Sequence, residues 1–88
     1  MAFAIRLSRE ASTYLERLPR DRQNRVIARL DQIAEDPTSP QFSKPLQGGQ
    51  AFWSARVGGL RIVFRVDTSR LIVQVRRIGP RGQVYRRL

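Results

Sequence analysis

The segment Trp53-Ser54-Ala55-Arg56-Val57-Gly58-Gly59-Leu60-Arg61-Ile62-Val63-Phe64-Arg65-Val66 decides the fold. Trp53, Ala55 and Val57 alternate with Ser54 and Arg56, and Ile62, Phe64 and Val66 alternate with Arg61, Val63 and Arg65. A period of two belongs to a strand with one buried face. Gly58-Gly59 supplies the two-residue turn that such a pair of strands needs, so the segment reads as a β-hairpin. Its apolar residues face a core, and Arg56, Arg61 and Arg65 fall on the opposite side.

Working outward toward the C-terminus, Asp67 to Arg70 reads as a second turn. Leu71 to Ile78 is dense in β-branched residues, interrupted by Gln74, Arg76 and Arg77, and suits an interior strand. Gly79-Pro80 ends it. The tail, Arg81 to Leu88, is short enough to be a strand extension or one helical turn.

Working outward toward the N-terminus, the stretch from Asp36 to Gln50 carries Pro37, Ser39, Pro40, Pro45, Gly48 and Gly49 and reads as a connecting loop. Before it, Val26, Ile27, Leu30, Ile33 and Ala34 recur at helical spacing, with Arg22, Arg25, Arg29 and Gln32 on the remaining faces. This helix starts at about Asp21 and stops before Pro37. A shorter helix precedes it: Ala11, Tyr14, Leu15 and Leu18 form one stripe, and Pro19 disfavours helical geometry at Leu18. Ser8 suits the N-cap, and Glu10 sits where the helix dipole favours a negative charge. Residues 2–7 alternate as a half-buried strand, with Phe3, Ile5 and Leu7 on one side. The expected fold is α+β: an antiparallel meander of about four strands with an N-terminal helical hairpin packed on one face, in the order β-α-α-β-β-β.

The whole chain has 88 residues, 17 Lys and Arg against 7 Asp and Glu, and a net charge of +10. That length makes residues 1–88 a single domain burying only about 60% of the surface of its unfolded chain. With no Cys and no His, disulfides, thiol nucleophiles, imidazole proton shuttles and thiolate or imidazole metal sites are excluded. No cofactor and no metal are therefore expected. Charged residues at Arg6, Arg9, Glu10, Glu16 and Arg17 break any apolar leader, and no run reaches membrane-spanning length, so a cytoplasmic protein with no membrane association is expected.

The charge is lopsided. Residues 1–44 hold eight cations against six carboxylates, a net of +2, whereas residues 45–88 hold nine arginines against Asp67 alone, a net of +8. A concentrated positive field calls for a polyanionic partner, either nucleic acid or a very acidic protein. Across the meander, Arg81 is placed to approach Arg61, with Tyr85 nearby. Guanidinium forks match phosphate oxygens and stabilise added charge at phosphorus without a metal. The same pattern is also that of a solvated, arginine-rich sheet face. Lys44 and Arg77 extend the cationic set. Of the neighbours Phe52 and Trp53, one points to the core and the other to the arginines, where an aromatic ring can stack a base; Trp53 is the candidate, and packing is the alternative.

The elements and residues together resemble the RelE/ParE toxin superfamily of bacterial type II toxin–antitoxin systems. The resemblance runs through the helical segment ending in Leu18-Pro19, the Asp36-Pro37 stop, Lys44-Pro45-Leu46, the hairpin Ala55 to Asp67, Ile78-Gly79-Pro80-Arg81, and Val84-Tyr85-Arg86. The superfamily holds ribosome-dependent mRNA nucleases of the RelE type and DNA gyrase inhibitors of the ParE type. Nucleases of the RelE type carry an arginine after the glycine turn, another after the last strand and a tyrosine soon after, and Arg61, Arg81 and Tyr85 stand at those positions. The resemblance thus implies an endoribonuclease: the ribose 2′-OH of mRNA in the ribosomal A site attacks the adjacent phosphate, with Arg61 and Arg81 neutralising charge and Tyr85 moving a proton or stacking on a base. Arg56, Arg65, Lys44, Trp53 and Arg77 would bind the nucleic acid. Where such nucleases often have lysines on the first hairpin strand, this chain has Phe52 and Ser54. The alternatives are a gyrase inhibitor and a non-catalytic basic nucleic-acid-binding module. The implied partners are a cognate acidic antitoxin, mRNA and the ribosome.

Overall fold

A computed structural model describes residues 2–46 and 51–80. It contains β1 (Ala4–Leu7), α1 (Arg9–Arg17), α2 (Arg20–Glu35), β2 (Ser43–Pro45), β3 (Phe52–Val57), β4 (Leu60–Asp67) and β5 (Ile72–Pro80). The five strands form one sheet in the order β1-β5-β4-β3-β2.

The two helices begin and end where local chemistry dictates. The Ser8 hydroxyl accepts from the Ala11 amide at 3.0 Å and donates to the Arg76 carbonyl at 2.7 Å, so one side chain both caps α1 and ties it to β5. At the other end of α1, the Gln23 side-chain amide donates to the Leu15 and Glu16 carbonyls at 3.0 and 3.3 Å, supplying partners that the helix itself cannot. Pro19 then separates α1 from α2. The apolar stripes Ala11 and Val26, Leu30 and Ile33 pack on Ala55, Val57, Leu60, Ile62, Phe64, Val73, Val75 and Ile78 from the sheet. Phe64, Ile33 and Ile62 are its largest fully buried members. Ile27 differs from the sequence expectation: it is 45% exposed. Adjacent helical positions are turned about 100° apart, and Val26 takes the inward one.

The hairpin forms as expected. Gly58 has a positive φ of 57°, at the first of the two turn residues, as a type II′ turn requires. β3 and β4 pair from Val57↔Leu60 through Phe52↔Arg65, and β5 lies inside the sheet between β4 and β1.

Two details correct the meander. β1 runs parallel to β5, with Ala4 opposite Ile72 and Leu7 opposite Val75, so the sheet is mixed. Alternation determines which face a strand buries, not which neighbour it takes, and the helical hairpin returns the chain to the far edge. There, the loop expected over residues 36–50 contributes β2, whose Lys44 pairs with Ser54. Three residues ending in proline suit a sheet edge, where a missing amide donor costs little. The sequential Arg76 and Arg77 also have an explanation. Ile62 pairs with Ile78 and Val63 with Arg77, but Phe64 pairs with Val75, leaving Arg76 as an extra residue. This bulge lets Val75 and Ile78 both reach the core although three positions separate them.

Candidate nucleic-acid interface

The sheet presents its other face without a described helix. Arg56 and Arg61 are directly opposed across β3 and β4. Arg56 is exposed, whereas Arg61 is only 4% exposed. The period-two pattern identified the face of Arg61 but gave no sign of its burial. Like charges directly opposed across strands destabilise a hairpin.

The β2–β3 pairing ends at Ser43 opposite Ala55, and β3 continues past it through Arg56 and Val57. The resulting groove encloses about 490 Å³. Its walls carry four cations, Arg29 from α2, Lys44 from β2, Arg56 from β3 and Arg61 from β4, and among the described residues no carboxylate lines it. Arg29 is held over the Phe42 ring, with Cζ 5.5 Å from the centroid, and donates to Gln32 Oε1 at 2.9 Å. The groove also contains Ser43 and Ser54, both buried, whose hydroxyl oxygens find no hydrogen-bond partner. A four-cation recess with an aromatic ring at its side can hold a phosphodiester by charge-assisted hydrogen bonds and a flat group by stacking.

The structure therefore brings Arg56, Arg61 and Lys44 into one site and leaves other expected residues elsewhere. Arg65 lies at the far end of the hairpin, with its guanidinium 5.7 Å from the centroid of Phe52. Trp53 packs against the core and does not line the groove. Phe52, not Trp53, is the ring beside an arginine. Arg77 is bound to Glu10 of α1 at 2.6 Å. Arg81 and Tyr85 lie outside the described residues. Arg29 and Phe42 were not singled out from sequence. The signal was present for Arg29, which shares a stripe of α2 with Arg22 and Arg25, but nothing local reveals that the Pro-rich connector folds back to set Phe42 beneath it.

In the β4–β5 turn, the Asp67 carboxyl is held below its ordinary value chiefly by the Ser69 hydroxyl, donating at 2.8 Å, and then by the Arg70 amide at 3.1 Å. Among the described residues no group of three or more His, Cys, Asp or Glu side chains gathers as a metal site would require, and no helix is long and apolar enough to cross a membrane.

Comparison with known proteins gives this geometry a context. Residues 5–85 match the family described as the ParE toxin of the type II toxin-antitoxin system, parDE. No curated protein matches the chain. Among solved structures, a chain of the toxin–antitoxin complex RelBE2 from Mycobacterium tuberculosis is similar at 24% identity and a TM-score of 0.80, over 92% of this chain and 100% of that one. The isolated RelE toxin of E. coli is similar at 17% identity and a TM-score of 0.80, over 96% and 89%. A YoeB/ParE toxin from Agrobacterium tumefaciens is similar at 18% identity and a TM-score of 0.77, over 88% and 96%. At these identities the structural likeness establishes the fold.

Proposed function

Since the chain belongs to the ParE toxin family of type II toxin–antitoxin systems, within the RelE/ParE superfamily, we propose that this toxin arrests translation as a ribosome-dependent endoribonuclease. The observation that carries the reading is the carboxylate-free groove in which Arg29, Lys44, Arg56 and Arg61 converge. Such a recess suits the doubly charged phosphorus centre of strand scission far better than a neutral or cationic substrate.

In this reaction the mRNA 2′-oxygen forms a bond to the adjacent phosphorus while the bond to the 5′-oxygen breaks. The 2′-proton leaves to a base, the 5′-oxygen gains a proton, and the products are a cyclic phosphate and a free 5′-OH. Arg61 and Arg81 hold and neutralise the phosphate, and Arg56 and Lys44 steer the strand. Arginine stays protonated and cannot be the base. Tyr85 takes that role. The toxin works in the cytoplasm, where mRNA and ribosomes are. Its cognate partner is an acidic antitoxin that covers the basic face; the complexes with RelB among the similar structures support such a partner.

Purified toxin added to programmed ribosomes, with cleavage mapped by primer extension, tests the reading. Wild type cuts within the A-site codon and Tyr85→Phe cuts far more slowly. Full cleavage by Tyr85→Phe removes Tyr85 from the mechanism. A second reading, inhibition of DNA gyrase, is favoured by the ParE description of the matching family and by Phe52 and Ser54 where nucleases often have lysine. Uncut mRNA together with blocked gyrase supercoiling would select it.

A further inference from the structure

The groove has a neighbour. A second recess, of about 270 Å³, lies between the helices and the hairpin and is lined by Arg22 and Arg25 of α2, by Tyr14, and by the hairpin tip. Gly58 lines both recesses. Arg22, Arg25 and Arg29 are spaced three and four residues apart, so they lie along one stripe of α2. The stripe flanks the groove with Arg29 and the second recess with Arg22 and Arg25. At the junction Gly58 has a φ of 57°, which suits glycine, and Arg25 Nη1 stands at ordinary contact distance, 4.0 Å, from where a Cβ would lie.

From this continuity we propose that α2 forms the second wall of one cationic trough crossing the hairpin tip, and that Arg22, Arg25 and Arg29 bind the backbone of a single-stranded nucleic acid while Phe42 seats a base. The two recesses together are lined by six cations, Arg22, Arg25, Arg29, Lys44, Arg56 and Arg61, and among the described residues no carboxylate lines either. A cationic channel alone suits any polyanion. The aromatic ring placed among the cations, with Arg29 over Phe42, selects nucleic acid, because sequence-tolerant binding of single strands combines backbone neutralisation with base stacking. An acidic peptide would be anchored by apolar contacts, which the Phe42 end of the trough, formed with Pro40, Gln41 and Ser43, supplies poorly.

The inference rests on the reading of this toxin as RNA-directed, yet it concerns binding and is separable from cleavage. The probe is a single-stranded 2′-O-methyl RNA, which cannot be cut by 2′-OH attack, titrated with purified toxin and followed by fluorescence anisotropy at several salt concentrations. The triple variant Arg22→Gln, Arg25→Gln, Arg29→Gln is compared with Arg6→Gln, Arg9→Gln, Arg70→Gln, which removes the same charge from exposed positions that line neither recess. Each lost phosphate contact lowers the slope of log K against log salt by about 0.7, so the α2 triple loses about 2 units of slope and the control keeps nearly all of it. Phe42→Leu weakens binding at every salt concentration while leaving the slope intact. Circular dichroism verifies that each variant is folded.

Equal losses in the two triples overturn the wall, since net charge alone would then explain them. Unchanged affinity in Phe42→Leu overturns the base seat. Loss of binding to an acidic antitoxin peptide in the α2 triple, with RNA binding intact, overturns the nucleic-acid assignment in favour of a protein. Wild-type toxin that binds through the wall but leaves ribosomal mRNA uncut supports this inference and removes only the cleavage reading.

Discussion

Arg61 and Ser54 show how one strand position can satisfy two demands. Arg61 faces Arg56 across the hairpin and is nearly closed off from solvent, so its guanidinium is oriented by its surroundings before any ligand arrives. Replacement by alanine is expected to lower A-site cleavage by about 10²–10³-fold, the loss seen when one oriented donor to a developing charge is removed. Arg61→Lys should recover only part of it, because an ammonium lacks the fork. Primer extension on ribosomes measures both, and full activity of the alanine variant would dismiss Arg61 from the reaction. Ser54 contributes differently. Its buried hydroxyl has no partner, an arrangement that costs about 1–3 kcal/mol, so Ser54→Ala should raise the unfolding free energy by about 1 kcal/mol in urea titration. A destabilised alanine variant would show that the hydroxyl is satisfied in solution. At Asp67 the sign follows from its lowered folded pKa. Its contribution to stability is complete above the ordinary carboxylate pKa of about 3.9 and is lost as pH falls through the lower, folded value. Asp67→Asn should therefore flatten the stability profile between about pH 4 and the acid limit while leaving its slope near neutrality unchanged.

Among the elements, the hairpin and the α1 cap were the most legible from sequence, because each is specified by a few adjacent residues. Gly58-Gly59 between two alternating runs admits little but a tight turn, and Ser8 before a helical stripe admits little but a cap. Gly58→Ala tests the first: an L-residue at φ 57° costs roughly 1–2 kcal/mol, seen as a lower denaturation midpoint. Ser8→Ala tests the second and should cost about 1–2 kcal/mol, near the upper end for a cap, since the hydroxyl also bonds the Arg76 carbonyl. The features that escaped sequence reading all depend on distant partners. β2 is three residues of a Pro-rich connector that pair only because β3 offers an edge. The parallel placement of β1 depends on β5, and the seat of Phe42 beneath Arg29 depends on α2. The core role of Trp53 was one of two options that alternation left open, and the long-range packing of its ring against the core decides it.

Across the whole molecule, the excess of +8 in residues 45–88 lies mainly on the sheet and its flanking turns, while α2 adds Arg22, Arg25 and Arg29. A field of this size attracts polyanions, and on the proposed reading an acidic antitoxin and an RNA strand compete for it. Association with the antitoxin should slow by at least about tenfold as salt rises from low to about 0.5 M, with a much smaller change in dissociation. Stopped-flow mixing at several ionic strengths measures this, and a salt-independent association rate would rule out electrostatic capture.

The pairing of β1 with β5 carries a kinetic consequence. Ala4 and Ile72 are neighbours in the sheet although 68 positions apart in the chain, so β1 has no place to dock until β5 has been synthesised. Contacts between such remote segments slow folding toward the millisecond-to-second range. The mixed sheet is therefore closed at the β1 edge only once β5 has formed. The groove draws its lining from α2, the connector after it, β2, β3 and β4, so its walls do not wait for that last closure.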